Sequence, residues 1–258
     1  MGMKQTGHPL PDGRALLAGL AVVLFAPTCG GGSAAFKDAA AAGDDGAGGR
    51  PPTPTLGLVC SPGVDPAAPL IANFSAAAFN GNRGRWGGAE NLTLFVYDYH
   101  DPDSPSGTSS WSLDGEVFTF SGEVVPSPGP SYAGGGMHLD SCLNTTTYRG
   151  IQFTLTGTSG GCTVYFDLET YSQQAIHERG GCASYCYQFP RVLVTPRAAP
   201  ITVLFSQLEG TGIPSSAAAM ASEIMGMRWQ LESAPGQTDA GQTDCTFSLT
   251  VDDVRLVR

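Results

Sequence analysis

The sequence is short of charge, and the charge it has is mostly negative. Only 14% of its 258 residues are Asp, Glu, Lys or Arg, and 23 acidic residues outnumber 13 basic ones, for a net charge of -10. Binding to nucleic acid or to an anionic membrane surface needs a basic face. The composition therefore argues against both kinds of partner and favours a soluble or surface-exposed protein.

Catalytic motifs are missing as well. The chain contains no His-Glu-x-x-His pair and no phosphate-binding loop. Four acidic side chains could still converge as paired acids for glycoside hydrolysis, although nothing in their spacing requires it: Asp140, Asp167, Glu169 and Glu178. The sequence therefore predicts that the protein is not an enzyme, with a divergent glycan-active enzyme as a minor alternative.

The N-terminal apolar run, residues 15–26, is too short to span a bilayer. It follows the basic residues Lys4 and Arg14 and precedes Cys29, which is followed by Gly-Gly-Gly-Ser, as in a bacterial lipoprotein signal. We therefore expect residues 1–29 to be a signal peptide and Cys29 to be lipidated. The expected location is the outer membrane or cell surface, held only through the lipid anchor, and simple secretion is the alternative.

The region that follows differs in composition from the rest of the chain. Residues 30–59 are largely Gly, Ala, Asp, Pro and Thr, with almost no large apolar side chains. Such a segment cannot bury enough apolar surface to offset its ordering entropy, so the sequence predicts a disordered linker. A single domain is expected to occupy residues 60–258, which is a normal size for one hydrophobic core.

Six cysteines remain once Cys29 is set aside, and an even number in an exported chain favours disulfides. They are Cys60, Cys142, Cys162, Cys182, Cys186 and Cys245. Fifteen connectivities are open. Pairing of Cys182 with Cys186 is favoured, because a three-residue gap can close across a tight turn. Without a second ligand cluster, this Cys-x-x-x-Cys spacing is a weak zinc signal, so the stretch GGCASYCYQFPR is interpreted as a stapled loop.

Period-two alternation over short runs is the main secondary-structure signal. The clearest runs, with further candidates last, are residues 151–155, 163–169, 201–205, 227–231, 247–251, 92–99, 116–120 and 191–194. Turn-forming residues separate them, and one short helix is expected within residues 216–225, capped by Ser215 or Ser216. This pattern predicts an all-β, two-sheet antiparallel sandwich.

Several of these runs resemble a known family when they are taken in order. The runs are Ile71-Ala-Asn-Phe74, Tyr148-Arg-Gly-Ile-Gln-Phe-Thr-Leu-Thr-Gly157, Ile224-Met-Gly-Met-Arg-Trp-Gln230 and Phe247-Ser-Leu-Thr-Val-Asp-Asp-Val254. Over about residues 68–256 the chain is similar to galactose-binding-like jelly rolls. Within that group it resembles carbohydrate-binding modules of family 11 and the complex I intermediate-associated protein 30 group. The resemblance implies a jelly-roll fold and non-catalytic binding of a polysaccharide or glycan.

The same resemblance bears on a cofactor. Members of this group commonly hold calcium between the first strand and a carboxylate of the last strand, which here leaves Asp252 and Asp253 as candidate ligands. Asn73 and Ser75 stand where the family has acidic residues. Calcium prefers several oxygen ligands, so no cofactor is expected apart from this candidate structural calcium.

Sugar binding combines aromatic rings with polar groups that bond the hydroxyls. Alternation places Tyr165, Asp167 and Glu169 on one strand face and Arg228 and Gln230 on another, forming a predicted open cleft. The remaining candidate ligand-binding residues are Trp86, Gln152, Tyr185 and Tyr187. Trp229 alternates in phase with apolar neighbours and is assigned to the core. A polar outer face that simply meets water would show the same pattern.

The predicted function is non-catalytic glycan binding at the bacterial cell surface. The alternative is a structural or protein-interaction module of the envelope with the same fold. Which sugar is bound does not follow from the residues.

Overall fold

The computed structural model describes residues 60–258 apart from 61–62, 67, 76–77, 86–92, 102–106, 127–130, 211–215 and 234–243. The predicted signal peptide, its lipidation site Cys29, the linker 30–59 and the candidate Trp86 lie outside the described residues. Within the described part of the chain, no helix has the length and apolar character needed to cross a bilayer.

Two antiparallel sheets make up the fold. In spatial order, the seven-stranded sheet contains β10 (Arg191–Leu193), β9 (Thr163–Thr170), β12 (Ile224–Glu232), β7 (Tyr132–Leu143), β4 (Thr93–His100), β3 (Arg83–Arg85) and β2 (Phe79–Asn80). The six-stranded sheet contains β11 (Arg197–Leu204), β8 (Gly150–Thr158), β13 (Cys245–Val257), β6 (Val117–Val124) and β5 (Thr108–Asp114), with β1 (Leu70–Ala72) paired to β13. The predicted all-β jelly-roll sandwich is confirmed.

Aromatic side chains fill the space between the sheets. Trp229 on β12 is fully buried, and its ring centroid lies 5.3 Å from that of Phe153 on β8 and 5.9 Å from that of Phe166 on β9. Phe153 and Phe166 stack across the sandwich at 5.0 Å. Offset and edge-to-face pairs of this kind stabilise a core beyond the area that they bury. The prediction that Trp229 belongs to the core is confirmed.

The predicted helix is shorter than expected. Helix α1 spans Ala217–Ala221, and the Oγ of Ser216 accepts a hydrogen bond from the amide of Ala219 at 3.2 Å. The predicted span 216–225 overruns it because β12 already begins at Ile224, where pairing with β7 and β9 overrides local helix preference. Short 3-10 turns occur at Ile176–Glu178 and Phe205–Gln207.

The six cysteines of the domain form three disulfides, as predicted. The structure pairs Cys60 with Cys142, Cys162 with Cys245, and Cys182 with Cys186. The favoured local pairing of Cys182 with Cys186 is therefore present, and it staples the segment between β9 and β10. The Cys162–Cys245 bond joins the turn before β9 to the start of β13.

Candidate functional site

Glycines on β7 leave room on the outer face of the seven-stranded sheet for side chains from the neighbouring strands. Gly136 lies opposite Tyr97 on β4 and Arg228 on β12, and Gly134 lies opposite Tyr99 and Gln230. A Cβ added at Gly136 would lie 2.6 Å from the Cζ of Tyr97, and one at Gly134 would lie 3.0 Å from the Tyr99 hydroxyl. The two tyrosine rings therefore lie flat across β7, a position that any side chain on these glycines would block.

This arrangement carries both tyrosine hydroxyls past β7 to the strands beyond it. The Tyr97 hydroxyl donates to Oε1 of Glu169 on β9, and the Tyr99 hydroxyl donates to Oε1 of Gln230 on β12 at 3.3 Å. Burial, followed by the proximity of Glu169, raises the pKa of Tyr97 well above its ordinary value, so Tyr97 stays protonated and acts as a donor.

Asp167 is the centre of a buried charge cluster. Its Oδ2 accepts a hydrogen bond from Nε of Arg228 at 2.8 Å, and its Oδ1 accepts one from Nε of Arg191 at 3.2 Å. Arg191 also donates through Nη2 to Oε1 of Glu232 at 2.7 Å, and Gln230 donates to the same oxygen at 2.7 Å. A carboxylate as buried as Asp167 is tolerated only when it is paired in this way.

Arg228 is held between two aromatic rings. Its Cζ lies 4.6 Å from the ring centroid of Phe189 and 5.1 Å from that of Tyr99. Burial by itself would lower the pKa of Arg228, but the neighbouring Tyr99 and Asp167 outweigh it, and the net shift is upward. The guanidinium therefore stays charged inside the face, where cation–π contacts are strengthened by the absence of water.

Glu169, on the same strand as Asp167, forms a second buried pair. Besides the Tyr97 hydroxyl, it contacts Nδ1 of His138 through Oε2 at 3.0 Å. A side chain at Gly226 would collide with this carboxylate, so glycine is required there for Glu169 to lie against the sheet. His138 thus anchors a buried acid and does not face solvent.

The stapled segment, residues 171–190, folds over this face. Its backbone is held by hydrogen bonds from Cys182 N to Gln174 O at 2.9 Å and from Tyr187 N to Gln173 O at 2.8 Å. Arg179 donates from Nη2 to the carbonyl of Asp140 at 2.8 Å. The Phe189 ring of the segment lies over the Arg228 guanidinium, so the segment acts as a lid on this part of the polar face.

The expectation of an open cleft is wrong, because the stapled segment covers the predicted residues. Asp167, Glu169, Arg228 and Gln230 share one face as predicted, yet they are only 1%, 3%, 7% and 7% exposed. The tyrosines that cross β7 and the stapled segment cover them. Alternation placed these side chains on the correct face, but it carried no information about what lies above that face.

A pocket of about 310 Å³ remains open beside the lid. It is lined by Asp167, Tyr187, Gln188, Phe189, Arg191, Gly210, Arg228 and Gln230. Its volume lies at the lower end of the range of roughly 300–1,000 Å³ that is typical of ligand pockets. It combines aromatic walls with guanidinium groups, which makes it the candidate binding site.

A second pocket, of about 390 Å³, lies by the β5–β6 turn. Phe74, Phe79 and Trp111 line it together with Asp114 and Glu116, whose side chains belong to the exposed turn. No buried charged group lines this pocket among the described residues. The smaller pocket lies on the outer face of the seven-stranded sheet that carries Asp167, Glu169, Arg191 and Arg228, called the charged face below. It is the better candidate, because it combines concavity with organised polar groups.

The other predicted ligand-binding residues have different outcomes. Tyr165 joins the charged face, where the Cζ of Arg191 lies 4.0 Å from its ring centroid. Gln152 does not join it, because β8 belongs to the other sheet and the Gln152 amide donates to Oγ1 of Thr202 at 2.9 Å. Tyr185 is 79% exposed on the stapled segment and does not line the pocket, whereas Tyr187 does.

Four residues that line the pocket were missing from the prediction: Gln188, Phe189, Arg191 and Gly210. Arg191 enters because β10 pairs with β9 and places it opposite Asp167, and Phe189 enters because the stapled segment turns back over the sheet. Extending the alternation of residues 191–194 would have put Arg191 on a polar face. No sequence signal showed that Phe189 would cover Arg228.

The candidate calcium ligands lie on the six-stranded sheet, at an irregularity in β13. Oδ1 of Asp252 accepts a hydrogen bond from the Asp253 amide at 2.6 Å, and Oδ1 of Asp253 is paired with Nη2 of Arg255 at 2.8 Å. Across the described residues, no group of three or more His, Cys, Asp or Glu side chains is arranged to hold a metal ion. Asp253 is already neutralised by Arg255, so the donor set fits calcium poorly, and calcium here stays a prediction.

Comparison with known proteins returned structural likeness only. No family model and no curated protein matches the chain. One similar solved structure is the family 11 carbohydrate-binding module of the cellulosomal cellulase Lic26A-Cel5E of Clostridium thermocellum. It is 10% identical with a TM-score of 0.44, over 74% of this chain and 94% of that chain. Another is a family 11 module from Clostridium thermocellum in complex with a β-1,3-1,4-mixed-linked tetrasaccharide. It is 12% identical with a TM-score of 0.43, over 73% and 94%.

Proposed function

We propose that the protein binds a glycan without transforming it, through the pocket between the stapled segment and the charged face. The observation that carries this proposal is Arg228, a charged side chain that is 9% exposed and lines the pocket between aromatic rings. Keeping a guanidinium buried costs desolvation energy, and a site built to bond a polar ligand accounts for that cost.

The lining of the pocket suits a sugar. The Tyr187 and Phe189 side chains supply apolar surface on which a sugar ring can pack, and the Arg191, Arg228 and Gln230 side chains supply hydrogen-bonding groups at its edge. Sugars need both features, because each ring has apolar faces and a polar rim. The motif resemblance described above leads to the same class of ligand.

The buried acids support binding in preference to hydrolysis. Both oxygens of Asp167 accept hydrogen bonds from arginines, and Glu169 is engaged by Tyr97 and His138. Glycoside hydrolysis needs two carboxyl groups that reach the scissile bond from either side. Carboxylates that are occupied by structural partners are poor candidates for that role, so the proposal is a non-catalytic one.

The proposed location is the bacterial cell surface, with the protein anchored through a lipid on Cys29. The basic and apolar pattern of residues 1–29 supports export, and the disulfides of the domain fit an oxidising compartment.

Affinity electrophoresis through gels that contain immobilised polysaccharides tests the proposal. Tyr187→Ala is expected to lose most of the retardation of the wild type, because Tyr187 lines the pocket. Tyr185→Ala, a change on the same segment outside the pocket, is the matched control and should migrate like the wild type. Melting temperatures that stay unchanged in both variants would exclude unfolding as the cause.

Two results would contradict the proposal. If no polysaccharide in a broad panel retards the wild-type protein, the interaction-module alternative is favoured. Steady release of reducing sugar by protein that has been purified to constant specific activity would instead establish an enzyme.

A further inference from the structure

We infer that the pocket selects a glycan that carries a carboxylate, such as a uronic acid within an otherwise neutral chain. This inference rests on the proposed function and specifies its ligand class. It comes from the hydrogen-bonding groups that the pocket leaves available after its internal contacts are counted.

Arg228 keeps donors for a ligand. Its guanidinium donates to Asp167 through Nε, which is the side-chain hydrogen bond that Arg228 makes within the described part of the chain. The side chain is nine-tenths buried and lines the pocket. With Nε fixed by Asp167, the end of the guanidinium formed by the two Nη groups is free, and this edge matches the two oxygens of a carboxylate.

Arg191 also has a hydrogen-bond donor left for a ligand. Its Nε and Nη2 are engaged by Asp167 and Glu232, which leaves Nη1 for a ligand, and its side chain is 32% exposed beside the pocket. Two guanidinium groups therefore share one lining carboxylate, that of Asp167, while Glu232 does not line the pocket. Guanidinium groups therefore outnumber carboxylates along the lining of the pocket, within a protein whose net charge is -10.

The acceptor oxygens of Asp167 and Gln230 on this wall are already engaged. Both oxygens of Asp167 already accept from arginines, and Oε1 of Gln230 accepts from Tyr99. A ligand that supplies acceptors is therefore favoured, and an ionised carboxylate can accept two parallel hydrogen bonds from one guanidinium edge, which a single hydroxyl cannot. A chain with a charge on every residue would be repelled by the acidic protein as a whole, so isolated carboxylates are favoured.

A matched pair of ligands tests the inference by isothermal titration calorimetry. One is a glucuronic-acid-bearing oligosaccharide, and the other is the same oligosaccharide with its carboxyl group reduced to a primary alcohol. The wild type is expected to bind the acidic form at least about tenfold more tightly, the size of effect that a charge-assisted bidentate contact provides. Arg191→Gln should reduce this preference, and Arg197→Gln, the same charge change on an exposed strand of the other sheet, should leave it intact.

Arg228→Lys keeps the charge and removes the planar fork, so it should also reduce the preference for the acidic ligand. If this buried variant fails to fold, the Arg191 and Arg197 pair still decides the question. Equal affinity of the wild type for the acidic and reduced ligands would overturn the inference and leave glycan binding in place. Absence of binding to both ligands and to a neutral panel would overturn the proposed function and the inference with it.

Discussion

The outer faces of the two sheets are both polar, yet they are built in different ways. On the six-stranded sheet, small hydroxyl and amide groups pair across strands, as in Thr119 with Thr250 at 3.0 Å and Gln152 with Thr202 at 2.9 Å. On the seven-stranded sheet, the corresponding positions hold charged groups that are nearly buried under tyrosines and a stapled segment. The first arrangement only has to be compatible with water, whereas the second has to keep charges satisfied away from it.

This difference indicates which of the two outer faces is adapted to binding a ligand. Exposed hydroxyl pairs contribute little and tolerate replacement, because water can take the place of either partner. A buried ion pair costs several kcal/mol of desolvation per ion, and hydrophobic residues of similar volume are often at least as stable. Retaining Asp167 and Arg228 under a lid is therefore better explained by a ligand than by stability.

The largest expected effect is on the charged face itself. Asp167→Asn removes the carboxylate that Arg228 and Arg191 share, leaving a buried guanidinium without its counter-ion. We expect a loss of about 3–5 kcal/mol in the free energy of unfolding, measured by urea denaturation. Thr119→Ala on the other face removes a half-exposed hydroxyl pair and should cost about 1 kcal/mol or less. Equal losses in the two variants would mean that the two faces are not energetically different.

The glycine positions under the tyrosines provide the next test. Gly136→Ala would place a Cβ 2.6 Å from the Tyr97 ring, so the ring must lift and its contact with Glu169 must weaken. We expect a loss of about 1–3 kcal/mol, as for an overpacked core. Ser248→Ala, an exposed change on the outer face of β13, should stay within about 0.5 kcal/mol.

A double-mutant cycle makes this test specific. If the alanine acts through Tyr97, its cost should fall in a Tyr97→Leu background, because the shorter side chain no longer crosses Gly136. Strictly additive losses would show that the glycine is needed for some other reason.

The smallest expected effect concerns pH and the lid. Burial raises the pKa of Glu178 above its ordinary value of 4.5, and the hydrogen bond from Tyr187 and the neighbouring His177 only partly oppose it. The folded protein therefore holds this proton more tightly than the unfolded chain, so the contribution of Glu178 to stability falls as pH rises from 4.5 through the raised pKa. Glu178→Gln should gain stability relative to the wild type over that range, as measured by urea unfolding at successive pH values. A difference that stays constant or reverses with pH would contradict this assignment.

Much of the sandwich was predictable from alternation. The runs that became β8, β9, β12 and β13 were recognisable because each has an apolar face and a polar face. Strand β7 was missed because the run Gly134-Gly-Gly136 has no side chains to alternate, and β5 was missed because its serines favour turns. The glycines that concealed β7 are the same ones that let the tyrosines cross it.

The site was predictable only in part. The alternation of side chains along a strand places Asp167 and Arg228 on polar faces. It does not show which sheet a strand joins, so Gln152 was grouped with them wrongly. Alternation also gives no information about burial, since an exposed polar face and a covered one show the same pattern. Arg191 and Phe189 reach the pocket through strand pairing and a folded-back segment, which are relationships between distant parts of the chain.

Mapping of backbone amide chemical shifts during titration with a bound oligosaccharide tests the central claim most directly. The account predicts that the largest shift changes fall on residues 187–189, on Arg191, and on Gln230 and its β12 neighbours, with the outer face of the six-stranded sheet unaffected. Changes centred on Thr119, Gln152 and Thr250 would place binding on the opposite face and contradict the assignment of the site.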